Sequence, residues 1–237
     1  MKTLVPAIAA GLLLLFPAGA AAAQEVPAAA AAATATPGGI PLDSPWRRAV
    51  YEQANTHLQH PSWGVRHSER NYLLGMALAE ADGLTVDADV LFAAAFLHDW
   101  GGIAPFAVAG VDHAARSVEL AGPFLTEAGF PMEKFPAVRA AILGHMYDRE
   151  PEGSEAVVLH DADALDFLGA LGAARLLAAT GDAPDYDLAL RRIERFAVDI
   201  PPRLKTAAAR DMAVQRIAVM TEFLAQVRRE TPDGSRP

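Results

Sequence analysis

His98 and Asp99 stand side by side at the end of an apolar run, Val90-Leu-Phe-Ala-Ala-Ala-Phe-Leu97, and Gly101-Gly102 follow almost at once. Two polar side chains closing a buried-looking helix imply a task. His67 lies upstream, and His113, His145 and the run His160-Asp-Ala-Asp-Ala-Leu-Asp166 lie downstream. Imidazole and carboxylate donors without thiolate suit Mn²⁺, Fe²⁺, Co²⁺, Ni²⁺ or Zn²⁺, and donor type alone does not choose among them. A metal held by such groups lowers the pKa of a bound water and polarises a phosphoryl oxygen. The chain has no cysteine. Disulfides, thiolate nucleophiles and Cys-ligated zinc or iron–sulfur sites are therefore excluded.

Helices must bring these residues together. Val65 to Asp82 carries Leu73, Leu74, Ala77, Leu78 and Ala81 at helical spacing, and Asp82-Gly83 ends it. Asp87 to Asp99 is apolar nearly all round and reads as the central helix. From His67 to the end of its helix is roughly 22 Å, and the return to His98 roughly 16 Å, so an antiparallel pair returns His98-Asp99 near the level of His67. Asp112 can cap a helix from His113 to Ala128; another helix ends near Tyr147 and carries His145; Ser154 starts a long one through Asp161 and Asp163 to about Gly181. Further helices are expected from Pro45 to about Gln59, from Asp185 to Phe196 and from Pro202 to Glu230. No stretch alternates convincingly with period two. The fold expected is all-α, one irregular bundle of seven to nine helices over residues 44–230, with a frayed tail at 231–237.

Ahead of it, Met1-Lys2-Thr3, the apolar Leu4 to Phe16 and Ala21-Ala22-Ala23 have the pattern of a cleaved signal peptide over residues 1–23, which predicts an exported, periplasmic or secreted protein with no stable membrane span after cleavage. Residues 24–43, rich in Ala and Pro, read as a linker. Of the 237 residues, 52% are hydrophobic and 21% charged, which fits a globular domain. The net charge of −9 speaks against a nucleic-acid polymer as partner. The composition leaves the oligomeric state open.

The order H … HD … H … H … D resembles the HD-domain superfamily of metal-dependent phosphohydrolases, over about Ser62 to Leu177. His67-Ser-Glu-Arg70 resembles its H-x-x-R motif, Ala94-Ala-Phe-Leu-His98-Asp99-Trp-Gly101 its A-x-L-H-D-x-G signature, and Asp161-Ala-Asp163-Ala-Leu-Asp166 its last motif. The resemblance implies an HD-type bundle and four metal ligands, His67, His98, Asp99 and Asp163, with Asp161 as the fallback for the last. One divalent ion is expected, with two possible. His113 is implied as the group that contacts or protonates the leaving oxygen. His145 is open to three roles: a group behind the ligands, a phosphate contact, or a ligand to a second metal. Arg70 and Arg116, each three residues past a site histidine, are candidates to clamp phosphate or to sit in buried ion pairs. His57, His60 and His160 are assigned to the core or the surface.

The activity implied is hydrolysis of a small phosphate ester or nucleotide by a metal-activated water. Ala164 stands where nucleotide-specific relatives often carry a basic residue, which weakens a triphosphate substrate. Neither a regulatory companion domain nor a GYP motif is present, which disfavours a cyclic-di-GMP phosphodiesterase. Two other chemistries on the same fold compete: a di-iron oxygenase using His67, His98, Asp99, His113, His145 and Asp163, and a zinc hydratase of a small nitrile such as cyanamide. A ligand-sensing helical scaffold is the non-enzymatic alternative.

Overall fold

The computed structural model describes residues 33–180 and 185–231. Among these residues nine α-helices form the domain: α1 Pro45–His57, α2 Val65–Asp82, α3 Ala88–Leu97, α4 His113–Ala128, α5 Phe135–Gly144, α6 Ser154–Asp166, α7 Gly169–Ala178, α8 Tyr186–Asp199 and α9 Ala207–Glu230. The only bridge of β type among them is the isolated pair Ala35–Pro41. The fold is all-α.

Side-chain caps open several of these helices, the one at Asp112 as foreseen. Ser44 accepts from the Arg47 N–H with Pro45 opening α1, Asp87 accepts from the Asp89 and Val90 N–H groups at the start of α3, and Asp112 accepts from the Ala115 N–H at the start of α4. Gly83 ends α2 in the left-handed region at φ 65°. The all-round apolar α3 is the axis of the bundle: every residue from Val90 to Leu97 is buried. It packs against α1, α2, α5 and α6. Trp46, Tyr72 and Phe96 meet Phe92 as tilted or edge-on rings. Each such large side chain contributes roughly 1.5–3 kcal/mol by leaving water, and that burial fixes where α3 ends.

Three expectations change. The long helix foreseen from Ser154 to about Gly181 is two helices, because Leu168 is extended and Gly169 takes φ 79°. Gly169 lies against Arg216 of α9, whose guanidinium donates to the Leu165 carbonyl at the end of α6, beside the Leu168 N–H. The segment from residue 33 to 43, assigned to a flexible linker, is packed: Ile40 and Leu42 are buried, and Glu69 of α2 accepts from Thr36 Oγ1 and from the Gly38 N–H. The signal peptide and the periplasmic location derived from it are withdrawn. Residues 1–32 lie outside the described residues, no helix among the described ones is long and apolar enough to cross a membrane, and no feature of the described residues supports a leader. The frayed tail lies outside the described residues after Thr231.

Candidate metal centre

The ends of α3 and α5 are built alike. Each helix stops one residue before a histidine, so His98 and His145 occupy the C-cap positions. The carbonyls of a helix's last turn lack helical N–H partners. His98 Nδ1 donates to the Ala95 carbonyl at 2.9 Å, and His145 Nδ1 donates to the Ile142 carbonyl at 2.7 Å. His67, near the start of α2, donates from Nδ1 to Asp166 Oδ2 at 2.7 Å. With Nδ1 engaged as the donor in all three rings, Nε2 is the nitrogen that each turns inward, the arrangement that orients histidine towards a metal.

Those Nε2 atoms converge on two carboxylates. His67 Nε2 is 3.0 Å from Asp163 Oδ1 and 3.6 Å from Asp99 Oδ2, and His98 Nε2 is 3.3 Å from His67 Nε2 and 3.2 Å from Asp99 Oδ2. The expected set His67, His98, Asp99 and Asp163 is therefore brought together, and Asp161 is not part of it. Asp161 points the other way, accepting from the Lys205 and Thr206 N–H groups and from Thr206 Oγ1 at the start of α9. Asp163, two positions on along α6, faces the opposite side.

His113 opens α4 and is held over the centre. Its Nε2 is 3.2 Å from His145 Nε2 and 3.5 Å from Asp99 Oδ1. Gly101 makes that approach possible, because a Cβ there would lie 2.5 Å from both the His113 carbonyl oxygen and the Ser117 nitrogen. Ser117 completes the joint by accepting from the Gly101 N–H at 2.8 Å and donating to the His98 carbonyl at 2.6 Å.

Among the described residues, two groups of side chains could hold a cation, His67–His98–Asp163 and His98–Asp99–His145, and His98 belongs to both. The donor set fits a divalent transition metal: nitrogen and carboxylate oxygen only, with inward lone pairs crowded within hydrogen-bonding distance. Electrostatics agree. Burial pulls the His98 imidazole down, but Asp99 beside it and Asp163 outweigh that and lift it to about 9, so the centre draws positive charge. Burial pushes the Asp99 carboxyl up, yet His98, His145 and His67 hold it far below the usual carboxylate range. Asp163 is likewise held low by His67 against its burial. Burial and the neighbouring His98 push His145 down to about 4, which keeps that ring neutral at pH 7.

The two arginines expected near phosphate are engaged elsewhere. Arg70 donates from Nε and a terminal nitrogen to Asp166 at 2.8–3.2 Å and lines a smaller cavity behind His67. Arg116 pairs with Glu119 at 2.9 Å and reaches the Phe106 carbonyl. Of the other histidines, His160 is fully buried beside Asp161, His60 stacks on Trp63 and His57 meets Phe106 edge-on.

Residues that sequence reasoning left without a role now have one. Asp166 orients His67 and gathers both Arg70 and the buried Arg175, 2.8 Å away. Those partners hold its carboxyl low in spite of burial. Its spacing of three from Asp163 on α6 was the available signal. Asn71 donates to His67 Nε2 at 3.1 Å and to Asp163 at 3.4 Å, while its Oδ1 is buried without a partner among the described residues.

Above the centre lies a cavity of about 450 Å³, whose wall includes Asp99, Asp163, His113 and His145. An all-α bundle that gathers buried histidines and aspartates behind such a cavity has the architecture of a metal-dependent hydrolase. Residues 64–168 match the HD domain family. No curated protein sequence matches it. Among solved structures it is similar to a predicted HD superfamily hydrolase from an uncultured Thermotogales bacterium, at 26% identity and TM-score 0.54 over 75% of this chain and 86% of that one. An HD-superfamily hydrolase from Bacillus thuringiensis is 23% identical, with TM-score 0.55 over 78% and 97% of the two chains. YpgQ of Bacillus subtilis, solved in complex with ADP, is 20% identical, with TM-score 0.61 over 80% and 100%. The last two similarities speak to the fold alone.

Proposed function

We propose that this protein is a metal-dependent phosphohydrolase acting on a small phosphate ester. The observation that carries the reading is the convergence of His67, His98, Asp99 and Asp163 within 3.0–3.6 Å contacts, with His113 and His145 at the adjoining cavity. His67, His98, Asp99 and Asp163 would hold the first ion. Asp99 and His145, with His98, offer a second position, so that one ion or two is a matter for stoichiometry. A divalent ion bound there supplies Lewis acidity and makes a water acidic enough to react near neutral pH.

The chain's own groups account for the remaining needs. Water adds to phosphorus, the ester P–O bond breaks, and the departing alkoxide takes up a proton to leave as the alcohol. With one ion bound at the first position, His145 keeps its Nδ1 proton on the Ile142 carbonyl and can accept at Nε2 from a His113 protonated at Nε2, 3.2 Å away at the cavity wall. That proton is the one placed for the leaving oxygen. Asp166, on the Nδ1 side of the ring, keeps His67 from rotating out of the centre. The capture of ADP by YpgQ agrees with a phosphorylated substrate on this fold.

The test is elemental analysis of the purified full chain followed by a phosphate-ester panel. About one or two equivalents of a transition metal, activity abolished by chelation and restored by metal, and loss of both metal and activity in Asp99→Ala are the expected results. A protein that takes up no metal on reconstitution defeats the proposal. Two irons with oxygen-dependent turnover and no phosphatase activity would replace it with the oxygenase chemistry.

A further inference from the structure

We infer that the cavity selects a phosphate monoester of an apolar, ring-bearing alcohol and discriminates against nucleoside di- and triphosphates; this rests on the phosphohydrolase reading above. The charge around the site is the first observation. Among the described residues, neither a lysine nor an arginine lines the cavity of about 450 Å³. The arginines close to it are each paired with an acid: Arg70 and Arg175 with Asp166, Arg116 with Glu119, and Arg149 with Asp112. A polyphosphate presents several negative charges on many oxygens, and proteins meet it with forked guanidinium donors or lysines. Beyond the cation centre the lining donors are His113, the Tyr147 hydroxyl and the Trp63 indole N–H, and none of them is the fork of an arginine or the ammonium of a lysine. A single phosphoryl group is matched by the cation centre, and a second or third meets neither guanidinium nor ammonium on the cavity wall.

The walls are the second observation. Tyr147, Phe167 and Phe196 form one side, with ring centroids 5.5 and 5.3 Å apart across Phe196. Val108 and Val111 also line it and are 48% and 44% exposed, although large apolar side chains gain nothing from facing water there. An ester tail that reaches from the cation centre into this space meets aromatic and aliphatic carbon. Three rings set edge to face give an aromatic tail the geometry it prefers. The volume lies within the range of about 300–1,000 Å³ usual for small-molecule sites, room for a phosphoryl group with one or two rings.

Calorimetric binding to the full-length protein loaded with Mn²⁺ tests this without relying on turnover. The probes are 1-naphthylmethylphosphonate, inorganic phosphate and ADP. The phosphonate is expected to bind at least tenfold more tightly than either of the others, the gain that burying a ring system of ordinary size delivers. Phe196→Ala and Val108→Ser are each expected to remove several-fold of that advantage while leaving the Kd for phosphate within twofold. Val108 is exposed, so its variant keeps the test alive if Phe196→Ala folds poorly. ADP binding more tightly than the phosphonate, or phosphate and phosphonate binding equally, overturns the inference and leaves the phosphohydrolase reading standing. If the metal-loaded protein binds none of the three, the phosphohydrolase reading falls and takes this inference with it.

Discussion

Asp161 and Asp163 share a motif two residues apart, and their replacement is expected to break different things. Asp161 is fully buried, and its carboxylate accepts from Lys205 N at 3.0 Å, Thr206 N at 2.7 Å, Thr206 Oγ1 at 2.8 Å and His160 Nδ1 at 2.9 Å. Thr206 is itself the N-cap of the 24-residue α9. Asp161→Ala strips the acceptor from at least two buried donors. A hydrogen bond to a charged group is worth about 1.5–3 kcal/mol, so the loss should come to about 4 kcal/mol. For a domain of this size each kcal/mol moves Tm by about 2–4 °C, giving a drop of about 8–16 °C. Asp163→Ala removes one carboxylate from a crowded centre and no helix cap, so its Tm measured in chelator should stay within about 3 °C of the parent. Metal content should show the reverse order: near parental in the folded fraction of Asp161→Ala and lost in Asp163→Ala. Thermal melting in chelator, with metal analysis of the same samples, reads both. An Asp161→Ala protein that melts like the parent but binds no metal, or an Asp163→Ala protein that keeps its metal, refutes the assignment.

Gly101→Ala should lose metal and activity together, since the added methyl collides with α4 backbone at 2.5 Å and must push His113 away from Asp99; overpacking of this kind costs about 1–3 kcal/mol, and a variant with parental metal affinity and near-ultraviolet dichroism would contradict it. Arg175→Leu leaves Asp166 as a buried charge short of one partner, and urea unfolding should show a loss of about 3–5 kcal/mol; a change below about 1 kcal/mol would mean that Arg70 alone compensates Asp166. A third case concerns pH. Burial works against the Asp87 and Asp89 carboxylates, but Lys134 holds both below their ordinary range, with help from Arg47 at Asp89. Depressed carboxylates contribute stability above the unfolded pKa of about 3.9, and that contribution disappears as pH falls through the folded value. Lys134→Ala should therefore be less stable than the parent at pH 7, with the gap closing below about pH 4; a gap that persists in acid excludes this linkage.

Much of this was legible locally. The bounds of α2 and α4 followed from a capping aspartate, a terminal glycine and apolar spacing, and the all-round apolar α3 announced its own burial. What failed to show was long-range. The Ala- and Leu-rich pattern runs on through Phe167 to Gly169, and the break there belongs to the meeting of Gly169 with Arg216 of α9. Helical period places Asp161 and Asp163 on different faces but does not say which face looks at His67. The partner of Arg70 was equally hidden, because Asp166 is distant in sequence and only the packing of α2 on α6 brings the pair together. Between residues 33 and 43, Pro and Gly composition masked Ile40 and Leu42, two buried anchors set two apart.

The paired helix ends at His98 and His145 have a consequence for how this site can vary. Each ring takes its proton position from the carbonyl three residues before it, in a turn that exists only because the helix stops there. Helix length is thus a chemical variable in this protein. One residue added to or deleted from α3 or α5 would swing the ring by about 100° and shift it by about 1.5 Å. It would also let the last carbonyls find backbone partners, freeing Nδ1 and leaving the tautomer undetermined. Substitutions along these two helices can be absorbed as packing changes, whereas a change of register alters which nitrogen faces the centre. Loop-length differences between related domains should therefore collect outside α3 and α5, in the connections that follow the histidines.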